Sequence, residues 1–379
     1  MKILHTSDWH LGMSVNGADI TDDQLYFIDQ IKEIVKEQHI DAVIIAGDVF
    51  DRANVSGDVI RIYDDAVTSL CSEIGAKTIV IAGNHDGPER LSQCHRLLAG
   101  AGLYVAGTMG RTIEKAVFQD TDIYLLPWID TARVKYEFPE KAEEITDTES
   151  AYRIVCDHIR EQMNPSKRNI LTAHAFIVNA ETSVSDRSAE IGFASAVSAS
   201  VFEGFDYVAL GHIHKPQDIT DSIRYSGTPM PYSFGKEEVQ EKSVTIIDTY
   251  DMSKQIFPLK LLHERKTLRG TYEELLKGDV TEEIRNGYLR IELTDRYMGA
   301  ETMMALRQVY PNLLEGKGLS YEGDGAKETI TAEELKHASH DPVSIFRSFC
   351  ADVAGIEPDE DQIKLFEEVV RLESGEELQ

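Results

Sequence analysis

Five short motifs constrain the fold of this chain more than any other feature, because each follows directly on a run of apolar residues. They are SDWH after KILHT, GDVFD after AVIIA, GNHD after TIVIA, AHAF after NILT, and GHIH after YVAL. Short apolar runs rich in Ile and Val predict buried strands. In α/β sheets the carboxyl ends of strands meet at one edge, where ligands and catalytic groups collect. The motifs therefore predict an α/β fold in which distant segments assemble one polar site.

The succession of elements predicts three parts. Strand-like and helical runs alternate over residues 1–250, which indicates a layered β-sheet core flanked by helices. Residues 251–335 combine strand-like runs with two helical stretches and predict a small α+β domain. Residues 341–379 predict two amphipathic helices around a Gly-Ile-Glu-Pro break. In the first part, helices are expected over 22–38, up to 73, around 91–98 and over 149–163, and short strands over 103–105, 112–118 and 122–126.

The motifs supply a mixed set of carboxylate, imidazole and amide side chains that fits two divalent cations. Residues two apart in an extended segment point to the same side, so the DxH and HxH spacings can serve one ion. Such ligands favour manganese, iron or zinc, and Asp48 is the natural bridge between ions roughly 3.5–4 Å apart. Glycines before ligands, such as Gly47 and Gly83, fit a close backbone approach. The candidate ligands are Asp8, His10, Asp48, Asn84, His174, His212 and His214.

A single histidine would be weak support for such a site, but five of the twelve histidines lie at predicted strand ends beside Asp or Asn. The other seven are interpreted as core or surface residues. Among them, His5 has an odd spacing from Asp8 and is expected to face away from the site. Trp9 and Ile213, which alternate with the candidate ligands, are expected to point into the core.

Composition limits the classes of protein that fit. The formal charge of -28 argues against a basic nucleic-acid-binding face on this chain alone, and residues 351–379 hold ten Asp or Glu against two Lys or Arg. Metal ions with a few local Lys or Arg contacts, or else a partner, would have to hold a polyanionic substrate. Four cysteines without CxxC spacing predict neither a zinc cage nor a disulfide framework. No apolar run approaches the ~18 residues of a membrane span, and without a signal region a cytoplasmic location is expected.

The order DxH, GDxxD, GNHD, H and GHxH resembles the signature of the calcineurin-like metallophosphoesterase superfamily. The stretches SDWHLG, SDRSAEIGFAS, FDYVALGHIHKPQ and YSGTPMPYSFGKEE resemble the SbcD family of bacterial nuclease subunits within it. This resemblance implies one ion held by Asp8, His10, Asp48 and His214, and a second held by Asp48, Asn84, His174 and His212. It also implies that His85 is a catalytic histidine outside the ligand set, with a further metal ligand as the alternative. Asp51 joins the catalytic set as a hydrogen-bond partner of His85 or of a ligand histidine.

The same resemblance implies a manganese-dependent 3'-to-5' exonuclease on double-stranded DNA ends that also opens hairpins as an endonuclease. Its partner would be an SbcC-type SMC-like ATPase in DNA end processing, repair and recombination. Residues 251–335 would form a capping domain over the DNA, and residues 341–379 would dock on the ATPase coiled coil. A homodimer through the nuclease domain, by helices around residues 59–70 and 91–98, is implied as well.

Two other functions fit the same motifs. A phosphodiesterase or phosphatase acting on nucleotides would share the metal centre, and the acidic charge favours it slightly. A scaffold that keeps the fold only to bind a partner has no need of a full set of ligands and His85. The polar loop over residues 178–200 is expected to touch substrate or partner, with a plain surface loop as the alternative.

Overall fold

The computed structural model describes residues 1–183, 185–186, 196–318, 347, 358–359 and 362–366. It divides into two compact units. The first unit consists of Met1–Leu268, Gly278–Ile291 and Arg307–Glu315. The second contains Arg269–Lys277, Glu292–Leu306 and the described residues from Gly316 onward. No helix in the described ranges is both long and apolar enough to cross a membrane.

The first unit is built on two six-stranded mixed sheets. Sheet 1 runs, in spatial order, through β14 (Ser253–Pro258), β13 (Ser243–Asp248), β1 (Lys2–Thr6), β4 (Ala42–Ala46), β5 (Lys77–Ile81) and β6 (Leu103–Ala106). Sheet 2 runs through β11 (Gln217–Asp218), β12 (Ile223–Tyr225), β10 (Tyr207–Gly211), β9 (Arg168–His174), β8 (Thr121–Leu126) and β7 (Lys115–Val117). The central strands of each sheet are parallel, and the antiparallel pairs lie at the edges.

Side-chain alternation along the strands divides the apolar residues into three layers. Ile3 of β1 packs between the two sheets with Ile170 and Ala209 of sheet 2. Leu4, the next residue, faces the opposite side and joins the cluster beneath the helices of sheet 1. Because these central strands are buried on both faces, they read in sequence as continuous apolar runs. The two sheets are therefore packed face to face between helical layers.

Helices cover the outer face of each sheet. α1 (Thr21–Glu37) and α2 (Gly57–Thr68) pack on sheet 1, and α5 (Thr131–Glu137) and α6 (Thr148–Arg160) pack on sheet 2. The predicted helix over 22–38 and the layered core are confirmed. The remaining described elements of this region are the hairpin β2 (Ser14–Val15) and β3 (Ala18–Asp19), α3 (Pro88–Leu91), α4 (His95–Leu98), a π-helical turn over Ser69–Ile74, and 3-10 turns over Ala99–Ala101, Pro139–Lys141, Ala199–Phe202 and Lys236–Val239.

Two predicted helices differ from the structure. The helix expected around 91–98 is split into α3 and α4, because Cys94 adopts a left-handed conformation with φ 59° and interrupts the turns. The helix expected to reach residue 73 ends as an α-helix at Thr68 and continues as a π-helical turn, which Gly75 terminates at φ 88°. The strand expected over 112–118 is reduced to Lys115–Val117.

Residues 259–318 combine strands and helices, the α+β mixture predicted for this part of the chain. β15 (Arg265–Gly270), β16 (Tyr288–Leu293) and β17 (Leu313–Gly318) make a three-stranded sheet, and α7 (Tyr272–Leu276), α8 (Glu282–Asn286) and α9 (Ala300–Val309) connect them. The boundary at residue 250 stays a prediction; β14 continues sheet 1 as far as Pro258. The helical segment predicted over 341–379 lies mostly outside the described residues. Within it, residues 362–366 are described and are helical.

Candidate metal centre

The carboxyl ends of β1, β4, β5, β9 and β10 bring the seven candidate ligands into one buried site in the first unit. A first cluster contains Asp8, His10 and His214, whose ligand atoms lie within 4.8 Å of one another. The Nε2 atoms of His10 and His214 are 3.1 Å apart. Asp8 also accepts hydrogen bonds from the Ser7 hydroxyl (2.5 Å) and from the main-chain N–H of His212 (2.9 Å).

A second cluster contains Asp48, His174 and His212, again with ligand atoms within 4.8 Å. The amide oxygen of Asn84 joins it, at 3.1 Å from His174 Nε2 and 2.9 Å from His212 Nδ1. Asp48 lies between the clusters, with Oδ2 at 3.2 Å from His174 Nε2 and 3.9 Å from His10 Nε2. Its position matches the expected bridge, although the ligand role of each residue stays a prediction.

The hydrogen bonds of His174 show that the second cluster fits a cation. Its Nδ1 donates to the carbonyl oxygen of Ala46 at 2.8 Å, which leaves Nε2 without a proton in the neutral ring. That Nε2 faces a carboxylate oxygen of Asp48 and the amide oxygen of Asn84. Electron pairs that face one another in a buried site require a proton or a cation between them. A divalent ion with oxygen and nitrogen ligands meets that requirement.

Burial and the charges of neighbouring side chains shift the pKa values of the residues in both clusters. Burial lowers the pKa of His174, but the carboxylates of Asp48 and Asp8 overcome burial and raise its pKa to about 9. Burial raises the pKa of Asp8 to about 8, and the neighbouring Asp48 adds to the rise. At His10 and His212 burial outweighs the opposing charge of Asp48 and lowers their pKa values to about 4 and about 3. The site therefore retains protons that a bound cation would displace.

The backbone around the clusters adopts conformations that cost free energy. Four non-glycine residues of the motifs have a positive φ: Asp8 (53°), His10 (43°), Asp48 (48°) and His212 (104°). Such strain costs about 1–3 kcal/mol per residue and tends to concentrate at functional sites. A Cβ on Gly83 would lie 2.1 Å from Asp48 Oδ1, and one on Gly211 would lie 1.9 Å from the carbonyl oxygen of Ala46. These glycines thus allow the motifs to approach closely, as expected from the sequence.

His85 borders the first cluster and is half-buried. Its ring meets that of His10 edge-on at 4.9 Å, and its main-chain N–H donates to Asp48 at 2.9 Å. Its Nδ1 donates to the main-chain carbonyl of Asp51 at 2.9 Å, so Nε2 remains available. Asp51 thus supports His85 through the backbone. One carboxylate oxygen of Asp51 accepts from Arg52, while the other is buried without a hydrogen bond to any described residue.

The non-ligand histidine of β1 lies away from the clusters, as predicted. His5 is buried and contacts the Tyr207 hydroxyl at 3.0 Å and the carbonyl oxygen of Leu210 at 3.1 Å. Trp9 and Ile213 are fully buried in the outer apolar layers, also as predicted.

The roles of several supporting residues were not predicted from the sequence. Asp86 accepts hydrogen bonds from the main-chain N–H groups of Val49, Phe50 and Gly83, and so ties two motif loops together. Trp128 stacks on the His212 ring at 5.3 Å with an interplanar angle of 25°. Its position directly after β8, in the stretch LPWID, is the same strand-end signal that identified the ligands.

The comparison with known proteins agrees with this geometry. Residues 1–216 match the calcineurin-like phosphoesterase family, and residues 262–354 match the type 5 capsule protein repressor C-terminal domain. The first match covers more than half of the chain, so the chain belongs to the calcineurin-like phosphoesterase family. Membership implies the use of divalent metal ions, which the two clusters are able to hold.

The chain is also similar to two curated relatives, each named as the D subunit of the nuclease SbcCD. The chain is 32% identical over 318 residues to the relative from Staphylococcus epidermidis, a match that covers 83% of this chain and 84% of the relative. It is 29% identical over 380 residues to the relative from Staphylococcus saprophyticus, a match that covers 99% of this chain and all of the relative.

Proposed function

We propose that this chain is a DNA nuclease subunit that hydrolyses phosphodiesters at double-strand ends as a 3'-to-5' exonuclease and opens hairpins as an endonuclease. The observation that carries the proposal is the convergence of seven ligand-type side chains and His85 in one buried site. Full-length similarity to a protein named as part of the nuclease SbcCD supports the choice of DNA as substrate. Manganese is the proposed metal, in line with the mixed oxygen and nitrogen donors.

The proposed ligand sets divide at Asp48. Asp8, His10, Asp48 and His214 would hold one ion, and Asp48, Asn84, His174 and His212 would hold the other. Two bound ions would supply an acidified water and stabilise negative charge on the phosphate oxygens.

His85 would protonate the leaving oxygen through Nε2, because the Asp51 carbonyl occupies its Nδ1 proton and orients the ring. Its half-buried position beside the first cluster leaves it accessible to a phosphate.

The partner proposals follow from the relatives and from charge. An acidic chain with a net charge of -28 binds DNA poorly by itself, so we propose that an SbcC-type ATPase supplies much of the DNA grip, in end processing, repair and recombination. The capping role of residues 251–335 and the docking role of residues 341–379 belong to the same proposal. An apolar groove beside α2, lined by residues that include Ile60, Tyr63, Val67 and Leu98, supports a homodimer through the nuclease domain. A cytoplasmic location stays a prediction.

A nuclease assay with defined substrates tests the proposal. The full chain is incubated with Mn²⁺ and an end-labelled blunt duplex or hairpin, with and without an SbcC-type ATPase and ATP. A cyclic nucleotide and a phosphate monoester are tested in parallel. Manganese-dependent shortening of the duplex is the expected result. Hydrolysis of the small esters alone would instead establish the nucleotide phosphodiesterase that the acidic charge also fits.

A further inference from the structure

A short hydrogen-bonded relay leads from a buried carboxylate to a candidate ligand of the first cluster. The Nδ1 of His214 lies 2.6 Å from the hydroxyl oxygen of Ser185. The same hydroxyl donates to Oε1 of Glu237. Glu237 is only 1% exposed, and its other oxygen accepts from the main-chain N–H groups of Tyr232 (2.7 Å) and Ser233 (3.0 Å). Neither Ser185 nor Glu237 was a candidate site residue from the motif pattern.

The relay determines which nitrogen of His214 carries the proton. A carboxylate can only accept, so the single hydroxyl proton of Ser185 must point to Glu237. The hydroxyl oxygen then faces Nδ1 with a lone pair, and Nδ1 of the neutral ring must donate to it. The proton of His214 is therefore on Nδ1, and Nε2 presents its lone pair to the first cluster.

Two other buried side chains hold the backbone of His214. Asp186 accepts from its main-chain N–H at 2.8 Å. Lys242, which is 2% exposed, donates to its carbonyl oxygen at 3.0 Å and to the Thr228 hydroxyl at 2.8 Å. Lys242 thus holds one of these peptide groups independently of Ser185. Asp186 follows Ser185 in the chain and also places Oδ1 3.5 Å from His214 Nδ1, where it favours the same Nδ1–H form.

We propose that Ser185 and Glu237 are positioning residues that hold His214 in the Nδ1–H tautomer with Nε2 directed into the first cluster. The proposal rests on the two-ion centre of the proposed function and adds the residues that prepare one of its ligands. It also gives part of the SDRSAE stretch a role in the site, in addition to any contact with substrate or partner.

The substitution Glu237→Gln tests the relay with almost no change of shape. The amide oxygen of glutamine must still accept from the N–H groups of residues 232 and 233, so its NH2 group must face Ser185. The hydroxyl would then accept from that NH2 group and donate to His214 Nδ1. The relay would run in reverse, and the proton of His214 would move to Nε2, where it blocks the ligand position.

The tautomer can be measured on the metal-free full chain. Long-range ¹⁵N–¹H correlation spectra of histidine-labelled protein distinguish Nδ1–H from Nε2–H rings, and a His214→Asn variant assigns the signals. We expect Nδ1–H in the unaltered chain and in Ser185→Thr, and Nε2–H in Glu237→Gln. The matched control is Ser233→Ala, since the Ser233 hydroxyl is buried without a hydrogen bond to any described residue. An Nε2–H ring in the unaltered chain, or an Nδ1–H ring in Glu237→Gln, would overturn the proposal.

Manganese titration followed by electron paramagnetic resonance supplies the second readout. Loss of an outer hydrogen bond to a ligand weakens metal affinity about 10–100-fold. We expect such a loss for one of two ions in Glu237→Gln and Ser185→Ala, with recovery in Ser185→Thr and no change in Ser233→Ala. Equal affinities in Ser185→Ala and Ser185→Thr would overturn the role of the hydroxyl, even if Glu237→Gln fails to fold.

Failure of the metal centre and failure of the relay give different experimental results. A chain that binds no manganese would remove the proposed function, whereas the metal-free tautomer would still decide whether the relay acts on His214.

Discussion

The two clusters of the metal centre hold their histidines in different ways. In the second cluster, His174 donates to the carbonyl oxygen of Ala46, a main-chain group at the end of β4. In the first cluster, His214 is oriented by the side chains of Ser185, from a loop, and Glu237, from the 3-10 turn over Lys236–Val239. Main-chain support comes with the packing of the two sheets and cannot be removed by one side-chain change. Side-chain support can be removed, so the first cluster is the easier one to alter.

The largest effect is expected from Asp48→Asn, because Asp48 contacts both clusters. The charge of Asp48 is the main factor that raises the pKa of His174 against the effect of burial. Burial opposes ionisation of Asp48 too, but its pairing with His174 holds the pKa of Asp48 well below the usual range. Loss of a bridging charge should remove several kcal/mol of transition-state stabilisation, roughly a thousand-fold or more in turnover. Manganese stoichiometry should fall with activity. If the variant binds two ions at unchanged affinity, Asp48 is not a ligand shared by the two ions.

His85→Ala should affect turnover and leave both clusters intact. A general acid contributes about 10²–10⁴-fold to the rate, so a loss in that range is expected. Manganese stoichiometry should stay at the level of the unaltered chain, since His85 belongs to neither proposed ligand set, although its ring nitrogen and the ligand atoms of His10 and Asp51 lie within 4.8 Å of one another. If the metal is lost in proportion to activity, His85 is a ligand and the first cluster is larger than proposed.

Trp128→Leu should weaken the second cluster selectively. The indole stacks on His212 and meets His174 edge-on at 6.1 Å, so its loss frees two rings of the same cluster. We expect manganese affinity to fall about 10-fold for one ion. Trp128→Phe keeps an aromatic ring and serves as the matched control. An equal loss at both ions would show that the two clusters are supported as one unit.

The smallest expected effect concerns His5, which is as buried as His174 but has no hydrogen bond to a carboxylate among the described residues. Burial, with a contribution from Arg224, lowers the pKa of His5 from 6.5 to about 3. His5 therefore binds a proton below about pH 6.5 in the unfolded chain, but only below about pH 3 in the folded chain. This contribution to stability is complete above pH 6.5 and is lost progressively as the pH falls towards 3.

Denaturant unfolding at several pH values measures this contribution. Between pH 6.5 and 5.5, His5 alone should lower the free energy of unfolding by about 1 kcal/mol. His5→Asn should show a shallower pH dependence by that amount, whatever its stability at pH 7, and His39→Asn, at an exposed position, should not. Identical slopes in all three proteins would mean that the folded chain does not lower the pKa of His5.

The helix breaks illustrate what sequence patterns miss. Apolar spacing located α1 and α6 to within a few residues because periodicity reports the buried face directly. The same spacing around Leu91, Leu97 and Leu98 predicted one helix, whereas a left-handed Cys94 divides it in two. Periodicity says which residues are apolar and carries no information on a single backbone conformation that tertiary contacts impose.

The sequence by itself determined the set of candidate ligands, because each of them follows an apolar strand and parallel strands end at the same edge of a sheet. It also predicted that His5 turns away from the site, through the two-residue period of a strand. Trp9 is buried as expected, but it lies beyond β1 between Asp8 and His10, which both have a positive φ, so a strand period does not explain its direction. Only the tertiary structure decided that Asp51 supports His85 through its carbonyl, that Trp128 stacks on His212, and that Ser185 and Glu237 set the proton of His214. These contacts join loops that lie far apart in the chain, and loop conformation depends on packing rather than on local periodicity.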